Sequence, residues 1–329
     1  MHASLMGLLT AAAAGEPSAT LHPLYWVGFL AFVALMLAID LGIFHKEARG
    51  MSAKEAVTWF SVWVSLAGVF AVIVYFWLGS AKALEFVAGY LLEESLSVDN
   101  IFVMVLVFRS FKVPGKYQHR VLVWGIIGAV VLRAALILGG TALIHRFHWM
   151  NFIFGGFLVF TGIKLFFEGD DDDEEEDMKD GRVVRLLKKL VPTADDFDEQ
   201  KFFTVRNGKR LATPLFIVLL VVEVTDVIFA LDSIPAIFGV TTDPFIVFTS
   251  NIFAILGLRT LYFLVSGMID QFRFLKYGLA VILTFVGAKM CAHDWYDVSI
   301  VVSLAVIAGV LVVAIVTSRL FPEKHEEKS

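Results

Sequence analysis

A single cysteine, Cys291, stands in the whole sequence. That excludes an intramolecular disulfide framework and a thiolate metal site. Charge is scarce as well: Asp, Glu, Lys and Arg make up 18% of 329 residues, where a soluble domain holds about 25%. All eight histidines fall in tails, loops or the ends of apolar runs, which disfavours Zn2+ or Cu+ handling inside those runs. No basic excess marks a nucleic-acid surface. The net charge is −5, and most of that acid sits in one loop.

What the sequence has in plenty is apolar residues. They make up 58% of the chain, and mean hydropathy is +0.77. Apolar runs of roughly twenty residues, long enough to cross a bilayer as helices, recur from end to end. They are continuous rather than alternating. The expected fold is therefore all-α, a polytopic membrane protein whose first partner is the lipid bilayer.

The runs predict nine spans, at about 24–45, 55–78, 83–108, 120–144, 149–167, 213–238, 244–268, 276–293 and 298–320. The chain thus divides into a tail over 1–23, five spans within 24–167, a polar loop over 168–211, four spans within 212–320 and a tail over 321–329. The first tail contains SLMGLLTAAAAG but lacks the basic start of a signal peptide, and is read as a tail. Lysines and arginines gather in alternate loops: Lys46, Arg49 and Lys54, then Arg109, Lys112, Lys116 and Arg120, then Arg273 and Lys276, and finally Arg319, Lys324 and Lys328. The opposite side offers little beyond Lys82 and Arg146. This places the N-terminus outside and the C-terminus in the cytoplasm, in a bacterial inner membrane.

The loop 168–211 opens with eight consecutive acids, 170–177, read as a solvated tract. RVVRLLKKLV follows, a basic amphipathic helix for the membrane surface. In KFFTVRNGKRLAT, Asn207-Gly208 between β-prone residues predicts a tight hairpin.

Carboxylates inside the spans carry the chemistry. The sixth span holds Glu223, Asp226 and Asp232, with Pro235 close behind. Each acid at mid-bilayer costs about 2.5–3.5 kcal/mol unless protonated, paired or metal-bound. On the third span Glu93, Ser97 and Asn100 share a helix face, as do Asp226 and Ser233 on the sixth. Asp99 and Asp232 point about 120° away from Glu93 and Asp226 in a straight helix. A kink at Pro235 would free the Leu231 carbonyl and turn Asp232 toward the same cavity. The candidate metal ligands are Glu93, Asp99, Asn100, Glu223, Asp226, Asp232 and Ser233. Oxygen donors alone suit a hard cation, Mn2+, Mg2+ or Ca2+. Arg133, Arg259, Lys164, Lys289 and Asp40 are candidates for ion pairing and gating. Thr249, Ser250 and Asn251 offer ligands or interhelical hydrogen bonds. Gly155, Gly156, Gly162, Gly278 and Gly287 are read as close helix contacts.

The chain repeats itself. LSVDNIFVM around Asp99 matches FALDSIPAI around Asp232, VVLRAAL around Arg133 matches LGLRTLY around Arg259, and the helix of Lys164 matches that of Lys289. Three consecutive spans thus recur after an odd offset of three, which inverts the second copy. Secondary transporters often follow such a plan, with the substrate site between the halves.

EESLSVDNIFVMVLVF, VPGKYQHRVLVWGIIGA, VVEVTDVIFALDSIPAIFGVTTDPFIVFTSNIFAILGLRTLYFL and LKYGLAVILTFVGAKM resemble the TerC family of integral membrane proteins. That family is associated with tellurium resistance, and its Alx branch with manganese export. The resemblance covers residues from about 25 to 290. It implies Mn2+ efflux with Glu93, Asp99, Glu223, Asp226 and Asp232 as functional acids. One departure is Glu94, where many relatives have Lys. The expected function is export of a hard divalent cation, Mn2+ as transported ion, coupled to protons, with no tightly bound cofactor and no enzymatic step. The competing reading is a membrane scaffold that docks cytoplasmic stress proteins through 168–211. An intramembrane aspartyl protease is disfavoured, because no GxGD-type sequence surrounds Asp99 or Asp232.

Overall fold

The computed structural model describes residues 23–44, 53–147, 149–167, 182–206, 208–265, 274–293, 295–296 and 298–320. Within these are ten helices: α1 Pro23–Phe44, α2 Ala53–Leu78, α3 Ser80–Ser110, α4 Gly115–Arg146, α5 Met150–Phe167, α6 Arg182–Leu190, α7 Pro214–Phe238, α8 Pro244–Val265, α9 Leu275–Ala292 and α10 Ile300–Leu320. Strands β1 (Phe203–Arg206) and β2 (Lys209–Ala212) lie between α6 and α7. The acidic tract 170–177 and the tails 1–22 and 321–329 lie outside the described residues.

Every helix predicted from an apolar run is present, with ends within a few residues of expectation. Seven of them, α2, α4, α5, α7, α8, α9 and α10, are long and apolar enough to cross a membrane. The sequence predicts nine spans, so two fall short of that standard. In α1 the residues described with their side chains form an apolar stretch over Leu24–Ile39, counted among the shorter apolar helices. In α3, Glu93, Glu94 and Asp99 crowd the middle of the helix with charge.

The loop before α7 is folded where described. α6 lays Val184 and Leu187 against the start of α7 and turns Leu186 and Leu190 outward. β1 and β2 pair antiparallel, Arg206 opposite Lys209, and Gly208 takes φ 72° in the turn. That left-handed value is what Asn-Gly turns supply. Hydrogen bonds from Thr204 and Lys201 hold the Asp198 carboxyl below its ordinary value, tying the hairpin to the turn before it.

α8 forms the centre of the bundle. It contacts α2, α3 and α4 along its length, and its whole apolar window is buried. An aromatic wedge fastens α1, α2 and α3 to it: Phe70 and Phe86 lie 4.9 and 5.8 Å from Phe253, and Trp26 lies 5.4 Å from Phe245. Such ring pairs add about 0.5–1.5 kcal/mol each beyond area burial. Asp243 caps α8, its Oδ1 accepting from the N–H groups of Phe245 (3.0 Å) and Ile246 (3.4 Å). Asp243→Ala should cost about 1 kcal/mol, read as a lowered thermal midpoint in detergent.

Helix directions follow from which residues meet. Along α4 and α7, Gly125 faces Val222, Arg133 meets Asp226 and Gly140 faces Phe238, so the two run parallel. Along α3 and α8, Gly89 faces Ser250 and Glu94 faces Gly257, again parallel. α5 and α9 cross antiparallel, Gly155 on Gly287 and Gly162 on Ala280. A Cβ on Gly287 would lie 2.6 Å from the Gly155 carbonyl oxygen, and one on Gly162 would lie 2.7 Å from that of Ala280. These three glycines therefore make close helix contacts, as expected, and Gly278 does so against Ala314 of α10. Gly156 does not, since a Cβ there would meet nothing within 4 Å. α7 continues through Pro235 to Phe238.

Candidate functional site

On α3 the helical period puts Glu93, Ser97 and Asn100 on one face, and all three are buried. On α7 it does the same for Asp226 and Ser233. The two faces meet at Arg133 of α4. Its Nη2 donates to Asp226 Oδ1 at 2.9 Å and its Nε to Asp226 Oδ2 at 3.3 Å, a bidentate fork. Its Nη1 contacts Glu93 Oε1 and donates to Asn251 Oδ1 of α8 at 3.4 Å. Glu93 and Arg133 are each 1% exposed, Asp226 is 5% exposed and Asn251 is fully buried. Four helices thus converge on one guanidinium away from water. Two carboxylates at one dry point would repel strongly; the guanidinium between them makes the arrangement tenable.

Glu223 sits one turn before Asp226 on the same helix. Its carboxylate rests directly over Gly128 of α4, where any Cβ would collide with it. Glu223 Oε2, Asn100 Oδ1 and Ser233 Oγ are buried with no hydrogen-bond partner among the described residues. These are oxygen donors, the kind a hard cation selects.

Asp99 and Asp232 do not join this point. Asp99 faces the Lys276 ammonium of α9. Asp232 accepts from Thr161 Oγ1 of α5 at 3.4 Å, with Lys164 nearby. Both acids lie round the helix from Glu93 and Asp226, as their six-residue offset requires. Continuity of α7 through Pro235 leaves Asp232 facing α5 rather than Arg133. Among the described residues, no group of three or more His, Cys, Asp and Glu is arranged to hold a metal. Arg259 is buried on α8. Asp40 falls within α1, and its side chain lies outside the described residues.

Lys289 lines a cavity of about 260 Å³ with Lys82, Glu85, Asn151, Thr241 and His293. Lys82 Nζ bridges Glu85 (2.8 Å) and Asp243 (3.3 Å) there, and Thr241 Oγ1 donates to Glu85 at 2.5 Å. Glu94 turns away from Arg133, toward Tyr90 and the Gly257 backbone.

Of the polar trio on α8, Thr249 and Ser250 bond carbonyls of their own helix, Phe245 and Ile246. Only Asn251 reaches across to the site. Sequence reasoning missed Gly128, whose only signal is a glycine inside an apolar run.

The TerC profile, described as the integral membrane protein TerC family, matches residues 78–326. The chain belongs to the TerC family. The match starts at the end of α2 and reaches past α10, so the family covers the C-terminal helix that the sequence motifs left out. An uncharacterised membrane protein of Myxococcus xanthus is 52% identical over 93% of this chain and 95% of its own length. A protein of Escherichia coli K12, named "Putative membrane-bound redox modulator Alx", is 47% identical over 93% of this chain and 97% of its own. An uncharacterised membrane protein of Rickettsia felis is 41% identical over 89% and 96%. No solved structure matches the chain.

Proposed function

We propose that this TerC-family protein exports a hard divalent cation, Mn2+ foremost, through the carboxylates of α3 and α7. The observation that carries this reading is the meeting of Glu93 and Asp226 from two helices at one buried point. Ionisable groups buried between membrane helices mark ion pathways more often than they act as glue. The donors near that point are oxygens, and no histidine or thiol lies among them. In this reading Asp99 and Asp232 serve as stations on either side of the centre, each facing a lysine that must release it. Lys164, Lys289 and Arg259 belong to the gating set. Protons are the proposed counter-cargo, no cofactor is tightly bound and no covalent chemistry is involved.

An inverted repeat of α3–α5 in α7–α9 is part of the proposal. It is supported by the exchange of partners: α3 runs parallel to α8 and α4 to α7, while α5 and α9, third in each set, cross antiparallel. A two-fold axis in the membrane plane relates such pairs, with the substrate between the halves. Loop charge assigns the N-terminus outside and the C-terminus to the cytoplasm. The name carried by the Alx relatives points to redox balance. Exchange within a dithiol pair is not open to this chain, which has one cysteine.

Proteoliposomes test the reading. Mn2+, Mg2+, Ca2+ and Zn2+ uptake is measured at two pH values. Wild type should move Mn2+, and Asp226→Asn and Asp232→Asn should abolish flux per folded protein. Undiminished flux in both variants overturns the site. The scaffold alternative gains weight from the folded helix and hairpin in 182–212. Deleting 170–205 should spare flux in a transporter and abolish the phenotype of a scaffold.

A further inference from the structure

We propose that the Arg133 guanidinium is a tethered stand-in for the cargo. It fills the Glu93–Asp226 pair when no ion is bound, and moves to Glu223 when one is. This rests on the export reading and adds what keeps the empty site tenable.

The argument is one of positive charge crowded at a buried point. Arg133 takes both Asp226 oxygens and touches Glu93 Oε1. A hard divalent ion needs carboxylate oxygens at about 2–2.5 Å. A divalent ion on those oxygens would stand close beside the guanidinium at a buried point, where like charges repel strongly, so one must leave. Arginine cannot give up its charge to do so, because it stays protonated under all ordinary conditions. It must carry that charge to another anion.

Glu223 is that anion. It lies three residues before Asp226, about 4.5 Å along the α7 axis. Its carboxylate packs on Gly128 of α4, the helix that carries Arg133, and its Oε2 is buried with no hydrogen-bond partner among the described residues. Gly128 matters because any side chain there would expel the Glu223 carboxylate. Asn251 Oδ1 accepts from Arg133 in the present seat and provides a neutral oxygen for the ion once Arg133 has gone. The charged and titratable groups facing the guanidinium are Glu93 from α3 and Asp226 from α7, with Glu223 one turn away; α8 contributes the neutral Asn251.

The internal cation lowers apparent affinity for the cargo. If the seat is open about a tenth of the time, removing the competitor tightens binding about tenfold. The test measures Mn2+ binding to purified protein in detergent, and KM and kcat for Mn2+ in proteoliposomes. Arg133→Gln should bind Mn2+ about tenfold more tightly yet turn over more slowly, because the empty form has lost its counter-ion. Arg133→Lys should fall between Arg133→Gln and wild type. Glu223→Gln should raise KM, having removed the second seat. A merely structural Arg133 would lower folded yield and leave the Kd of the folded fraction unchanged; that result overturns the proposal while leaving export intact. Should Arg133→Gln fail to fold, an unchanged Kd in Arg133→Lys overturns it equally. If wild type neither binds nor moves Mn2+ or the other ions, the export reading fails, and this inference with it.

Discussion

Asp226→Ala should destabilise the protein by about 3–5 kcal/mol, the cost of breaking a buried ion pair by removing one member. The value would be read from reversible unfolding in mixed micelles. The loss is large because Arg133 is 1% exposed and two of its donors point at Asp226. Alanine leaves those N–H groups facing a void, with only Glu93 and Asn251 to hold the charge. Asp226→Asn should cost less, since an amide oxygen still accepts one bond. The triple variant Glu93→Gln, Arg133→Met, Asp226→Asn should recover much of the loss, since a neutral set has no charge to desolvate. If Asp226→Ala costs under about 1 kcal/mol, water reaches the guanidinium and the site is not dry.

The second large effect is steric. Gly287→Val would place a Cβ 2.6 Å from the Gly155 oxygen, 2.8 Å from the Val159 nitrogen and 2.9 Å from Leu158 Cβ. Two of those obstacles are backbone, which cannot swing aside as a flexible side chain can. α5 and α9 must then separate along the closest helix contact in the bundle. Overpacking costs about 1–3 kcal/mol where side chains can adjust, and here the loss should exceed that range. The expected readout is a collapse in monodisperse yield on size exclusion, with a steep fall in thermal midpoint for any protein recovered. Gly156→Ala is the control, since nothing lies within 4 Å of its Cβ, and it should leave both measurements unchanged.

Much of the helical layout could be read in the residues themselves. Pro23, Pro214 and Pro244 begin helices where an N–H is not needed, and Asn207-Gly208 marks the hairpin turn. The shared faces of Glu93, Ser97 and Asn100, and of Asp226 and Ser233, followed from the helical period alone. The period gives an angle around an axis, but not which neighbour lies at that angle. It sets Asp99 and Asp232 about 120° from Glu93 and Asp226, yet both stand among the expected metal ligands, with a kink at Pro235 expected to bring Asp232 back. Thr161 as the partner of Asp232, and Lys276 as the group facing Asp99, could not be named. Gly128 was invisible for the same reason: a missing side chain matters only once the carboxylate that needs the space is known. Nor did composition single out α8 as the central helix, since its hydropathy is no higher than that of α9, which is half buried.

The enclosure of α8 has a consequence for how the protein is made. Its polar residues Thr249, Ser250, Asn251 and Arg259 never meet lipid in the finished molecule. On the ribosome it emerges after α1 to α7, so the helices that surround it have already been synthesised when it enters the membrane. A chain cut just before residue 244 would present an unfilled cleft with Arg133 in its wall, an open substrate for quality-control proteases. The same fragment joined in the cell by a separately expressed 244–329 piece should regain a protected core.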